Sequence, residues 1–201
     1  MKIGKIFSIP IRIHWSLLVL MGAICLYDPE SSLLSLTYAT ILFGTVLLHE
    51  LGHAIVARDF GCKTSSITLY PFGGIAQVKL QKDPIKEFYI AIAGPAVNAF
   101  LCALAFFFHM IGIPLMVEVM FLNVVMCLFN LLPSFPMDGG RIVRSVLARK
   151  KGSDYEAATQ KCLKISKWMS WSYIVIGAAV GWVGLVIVGG FLLVVNSRGI
   201  K

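Results

Sequence analysis

Long apolar runs leave this sequence few folds to choose from. Six of them, near 13–27, 33–57, 84–109, 113–133, 164–181 and 182–197, carry most of its Leu, Val, Ile and Phe, and runs of that length read as membrane-crossing helices. Composition agrees: 58% of residues are hydrophobic and mean hydropathy is +0.82, against about 45–50% apolar residues in soluble domains. The expected fold is an all-α polytopic membrane protein with six transmembrane helices, a single domain over 1–201.

Charge gives an independent check on the count. All 18 Lys and Arg residues fall at the amino terminus, after span two, after span four or at the carboxyl terminus, with Lys86 at the opening of span three and Lys164 and Lys167 at the opening of span five, whereas Asp28 and Glu30 lie in the first loop and Glu118 near the third. The positive-inside rule then places both termini in the cytoplasm of a cell membrane, inner or plasma. The net charge of +8 follows from this asymmetry and points to anionic lipid headgroups, not to nucleic acid. Met1 to Tyr27 has the basic start and apolar core of a signal peptide. No small-x-small site follows, and Ile24 before Cys25 spoils a lipoprotein site, so it is read as the first span. Five scattered cysteines, Cys25, Cys62, Cys102, Cys127 and Cys162, have no Cys-x-x-Cys pair and are expected to be free thiols.

Inside the second run stands His49-Glu50-Leu51-Gly52-His53. Histidines four apart on a helix share a face, so both imidazoles can reach one metal ion with Glu50 beside it. Chance would give roughly 0.002 such matches at this composition. As plain core residues they would bury three polar groups in an apolar helix, which is costly without a neutralising partner. Counting back from Arg58 at 1.5 Å per residue puts His53 roughly 7 Å and His49 roughly 14 Å inside the cytosolic boundary. Water would need a polar cavity from that side.

Around this motif the other segments each have two readings. Residues 62–82, with Ser65-Ser66-Ile67-Thr68-Leu69-Tyr70 and Ile75-Ala76-Gln77-Val78-Lys79-Leu80 about Pro71-Phe72-Gly73-Gly74, predict a small membrane-associated sheet or hairpin between helices two and three; its edge could take an extended substrate, or it is a connector. In Ala93-Gly94-Pro95-Ala96-Val97-Asn98, small residues permit close helix contact and Pro95 breaks the backbone ladder, so Asn98 is packing glue or a ligand for substrate. His14, after Pro10 at a presumed helix start, is interfacial or catalytic. Asn130 to Arg141, with Pro133, Pro136, Gly139 and Gly140, predicts a non-helical stretch lining a cavity. Within it Asp138 is the favoured third ligand, because the other carboxylates lie on the far side or in charged loops. Its alternative is a helix cap.

Three such ligands leave a fourth position open, the arrangement of a catalytic zinc site. Glu50 would serve as general base, with His14 or Asn98 as extra donors.

These motifs, together with Ile9-Pro10-Ile11-Arg12-Ile13-His14-Trp15 and Asn130-Leu131-Leu132-Pro133 through Asp138-Gly139-Gly140, resemble the site-2 protease family of intramembrane zinc metalloproteases. The resemblance covers essentially the whole chain. It implies a six-helix core that cuts transmembrane segments of other membrane proteins, with zinc on His49, His53 and Asp138. It further implies substrate handling by Asn98, a substrate-binding strand at Gly73 and Gly74, and catalytic support from His14. Many relatives carry PDZ or nucleotide-sensing domains, and neither is apparent in this sequence.

Two other classes compete. A zinc transporter needs ligands strung through both leaflets, whereas this chain has one cluster near one face. A silent protein that only binds membrane helices would not need Glu50. Rhomboid and aspartyl intramembrane proteases are excluded by the lack of Gly-x-Ser-Gly and Gly-x-Gly-Asp motifs.

Overall fold

A computed structural model describes residues 1–27, 29–71, 73–78, 82–150 and 154–197. Its order is β1 (Lys2–Ile6), β2 (Ile9–Ile13), α1 (Trp15–Tyr27), α2 (Ser32–Asp59), β3 (Thr64–Tyr70), β4 (Gly73–Val78), α3 (Pro84–Met110), α4 (Met116–Asn130), α5 (Asp138–Ala148), α6 (Tyr155–Val180) and α7 (Val183–Ser197). Two compact units divide the chain: Met1–Gln81 with Ala93–Cys127, and Lys82–Ile92 with Leu128–Lys201.

The sheet of the first unit is larger than the sequence suggests. Strands run in the order β1-β2-β3-β4, with β2 parallel to β3 through Ile11–Ile67 and Ile13–Leu69 and both outer pairs antiparallel. Pro10, read from sequence as a helix start, instead sits in β2 opposite Lys5. The alternation of Ile9, Ile11 and Ile13 is the strand signal, since every second residue faces one side. Ile9, Ile11 and Ile67 pack on Leu51 and Ala54 of α2. Thus one face of α2 carries the sheet while another carries the histidines.

Local chemistry sets the helix ends. After α2, Gly61 takes φ +76°, its N–H bonds the Arg58 carbonyl and the Cys62 N–H bonds that of Ala57, a left-handed glycine stop. Asp83 caps α3, its Oδ1 accepting the N–H groups of Ile85 and Lys86 at 2.9 and 3.2 Å, and Pro84 fills the first helical position, where no N–H is needed.

In the second unit α6 and α7 pack closely because glycines let them. A Cβ on Gly189 would lie 2.7 Å from the Ser170 carbonyl oxygen, and one on Gly177 2.9 Å from Val186. Gly139 and Gly140, expected in a non-helical stretch, lie inside α5. Their bare Cα atoms let its first turn rest on the backbone of 131–135: a Cβ on Gly140 would fall 2.8 Å from the Phe135 nitrogen, and one on Gly139 would collide with the Leu131 and Leu132 carbonyl oxygens. Only residues 131–137 of that region are non-helical.

The fold is therefore mostly helical with one small sheet. Among the described residues α2 and α3, of 28 and 27 residues, are long and apolar enough to cross a bilayer, and α1, α4 and α7 are shorter apolar helices. All five cysteines are free.

Candidate metal centre

His49 and His53 point from α2 toward α3 and are 2% and 5% exposed. Their Nε2 atoms lie 3.1 Å apart, with the rings edge to face. Two nitrogens bound to one zinc at about 2.0–2.1 Å and a tetrahedral angle lie roughly 3.3–3.4 Å apart, so the pair fits a shared ion. Gly94 makes room for the rings, and Gly52 lets α2 approach α3. A Cβ on Gly94 would lie 2.5 Å from Cε1 of His53 and 2.6 Å from Cε1 of His49, and one on Gly52 would lie 2.9 Å from the Ala93 carbonyl oxygen.

Nδ1 of His49 is 2.5 Å from Oδ1 of Asn98, which is fully buried. An amide oxygen only accepts, so Nδ1 carries the proton and Nε2 presents its lone pair to a metal. Asn98 in turn donates through Nδ2 to Oδ1 of Asn123 at 3.0 Å, and Asn123 donates to the Val119 carbonyl at 2.8 Å. Pro95 does not end α3, which runs through it to Met110.

Glu50 is half-buried, and β4 passes over its stem: a Cβ on Gly74 would lie 2.6 Å from Glu50 Cγ. Gly73, at φ +137°, occupies backbone space that favours glycine. Phe72 lies outside the described residues. His14, at the junction of β2 and α1, stacks on Tyr70 with centroids 4.7 Å apart, and its Nδ1 is 2.7 Å from Ser16 Oγ.

Asp138 belongs to the second unit. It is 6% exposed in the first turn of α5, where the helix dipole favours a carboxylate. Met137 holds the cap position, with no side-chain cap bond. The loop before it is held at Phe135, whose N–H donates to Ser166 Oγ at 2.8 Å and whose carbonyl accepts from Asn196 Nδ2 at 3.1 Å. The Arg144 guanidinium lies 4.9 Å from the Phe135 ring centroid and pairs with Glu87.

The first unit thus brings His49, His53 and Asn98 together, with Glu50 under Gly74. Sequence reasoning missed Asn123, Gly94 and the Glu87–Arg144 pair. For Gly94 the small-residue signal was visible, but it marks space for imidazoles as well as helix contact.

Paired imidazoles on a helix with a glutamate between them match a known family: the model of Peptidase family M50 fits residues 37–114 and 110–173. The chain belongs to peptidase family M50. A zinc metalloprotease of Methanocaldococcus jannaschii is 37% identical over 184 residues, 88% of this chain and 53% of that protein. Stage IV sporulation protein FB of Bacillus subtilis is 35% identical over 103 residues, 49% of this chain and 36% of its own length. A solved site-2 protease from Methanocaldococcus jannaschii is 30% identical, with TM-score 0.72 over 100% of this chain and 95% of that one. This M50 chain spans about half the length of the curated relatives it matches. Zinc is the metal in the name of the 37%-identical relative, and the imidazole pair here suits it.

Proposed function

We propose that this M50 protein hydrolyses peptide bonds in or near transmembrane segments of other membrane proteins, as part of regulated intramembrane proteolysis. The observation that carries the reading is the 3.1 Å approach of the His49 and His53 Nε2 atoms on the helix that also bears Glu50. Asp138 is the third ligand in this reading. What supports it is donor chemistry: all three residues are buried, and each offers one ligand atom. Two neutral imidazoles and one carboxylate leave a fourth position, the pattern of catalytic sites.

Zinc, when bound there, supplies Lewis acidity toward water and the scissile carbonyl. Glu50 accepts a proton as water adds to the carbonyl carbon, then returns it to the amide nitrogen so that the C–N bond can break. Gly73 and Gly74 keep side chains off the β4 edge, where an extended substrate segment can add as a strand. His14 is proposed as an extra donor to the carbonyl oxygen, supported by its half-buried place beside the end of β3. Asn98 acts in this reading through His49.

Six crossings, both termini in the cytoplasm and a site toward the cytosolic side complete the proposal. The lysines and arginines support it by their placement. A reporter fused after Lys201 is expected to be active only in the cytoplasm, and an external signal would overturn the topology.

Co-expression with tagged single-span membrane proteins tests the activity. Wild type should cut at least one and Glu50→Gln none, with the variant keeping its zinc. Equal behaviour of the two rejects the proposal, and zinc flux across proteoliposomes would replace it with transport.

A further inference from the structure

A lone asparagine in the middle of an apolar helix needs a reason, because an unpaired amide costs free energy there. Asn123 of α4 is fully buried, as is Asn98 of α3. Between them and His49 runs one continuous series of hydrogen bonds, at 2.8, 3.0 and 2.5 Å from the Val119 carbonyl outward. All four residues lie in the first unit.

We infer that Asn123 is a positioning residue for the metal centre: through Asn98 it sets which nitrogen of His49 carries the proton. The inference rests on His49 being a zinc ligand, as proposed above.

Direction is what the series transmits. A backbone carbonyl accepts and never donates, so the Val119 oxygen requires Asn123 to present its NH2 group and leaves Oδ1 pointing the other way. That oxygen receives the NH2 of Asn98 and turns the Asn98 Oδ1 toward His49. An amide oxygen at Nδ1 holds the proton there and keeps it off Nε2. Each amide has two orientations, and each bond selects one. If either side chain were turned over, two acceptors or two donors would face each other between fully buried side chains.

Both links are carboxamides, whereas a histidine ligand is often backed by a carboxylate. A carboxylate at either position would add a buried negative charge to a site that already contains Glu50 and is proposed to contain Asp138. Neutral amides carry the same directional information without that cost.

The test uses the full chain in detergent or nanodiscs, wild type against Asn123→Leu, which keeps the branched shape and removes the amide. Zinc affinity is measured by chelator competition, and the His49 tautomer in the metal-free protein by nitrogen-15 NMR of histidine-labelled samples. Expected in the variant are roughly 10–100-fold weaker zinc binding, the scale seen when partners of metal-bound histidines are removed, and appearance of the Nε2-protonated form. A packing role alone would leave the tautomer unchanged. Asn123→Ala serves as a second variant should the leucine prevent folding, with the same two readouts. Wild-type affinity and an unchanged tautomer in a folded variant overturn the inference. Failure of the wild type itself to bind zinc overturns the metal-site reading beneath it, so the two failures are distinguishable.

Discussion

Gly94 of α3 faces the imidazole of His53 with no room for a single methyl group. A Cβ there would lie 2.5 Å from Cε1 of His53 and 2.6 Å from Cε1 of His49, far inside van der Waals contact. Gly94→Ala must therefore push both rings out of their shared position or drive α3 off α2. Zinc affinity should fall roughly 10–100-fold, the range found for disturbed ligand orientation. Metal analysis of the purified variant checks it, and full zinc occupancy at wild-type affinity rules the account out.

Gly74 makes the complementary case, because its neighbour is the proposed base and not a ligand. A Cβ on it would lie 2.6 Å from Glu50 Cγ and 3.0 Å from Val46 Cγ1. Gly74→Ala is expected to shift the carboxylate while leaving the two imidazoles alone. Misplacement of a catalytic group by about 1 Å can cost about a hundredfold in rate. Turnover should drop on that scale with zinc content unchanged, and loss of metal in parallel with rate would contradict the separation of roles.

What could be read from sequence follows from how short the relevant distances along the chain are. His49, Glu50 and His53 sit within one helical turn or so, and a spacing of four on a helix already fixes a shared face. The sheet was half visible: β3 and β4 are consecutive and flank a turn, while β1 and β2 hide in a basic, isoleucine-rich opening that also suits the flank of a membrane span. Asn123 carried no spacing signal at all, since its partner Asn98 is on another helix and nothing local marks it. The same holds for Glu87 and Arg144, 57 residues apart. Gly139 and Gly140 were visible as breakers of helix, yet here they admit a close backbone contact inside one, which only the packing of 131–135 reveals.

Glu87 and Arg144 anchor the helix that begins with Asp138. Their side chains are 1% and 11% exposed, and Arg144 also lies over the rings of Phe135 and Tyr155. Arg144→Met would leave the Glu87 carboxylate buried with, among the described residues, only the Tyr155 hydroxyl, at 2.9 Å, still donating to it. Removing one partner of a buried pair costs about 3–5 kcal/mol. The double variant with Glu87→Gln should recover much of that loss, because no uncompensated charge is left. Unfolding measured across the cycle decides: additive losses would mean that the two side chains act separately.

Tyr155 gives this cluster a dependence on alkaline pH. It lies before the apolar part of α6, and its hydroxyl is pushed up from 10.0 to about 12, chiefly by burial and next by the Glu87 carboxylate, with Arg144 pulling the other way. A pKa raised on folding means that the unfolded chain gives up the proton first. Its stabilising contribution is then complete below pH 10 and is lost as pH climbs toward about 12. Tyr155→Phe removes that titration together with the hydrogen bond to Glu87. Between pH 9 and 11 the wild type should therefore lose more thermal stability than the variant, with the two curves drawing together as pH rises. Parallel curves across that interval would show that the hydroxyl has the same affinity for its proton in both states, and would place Tyr155 outside the buried pair's influence.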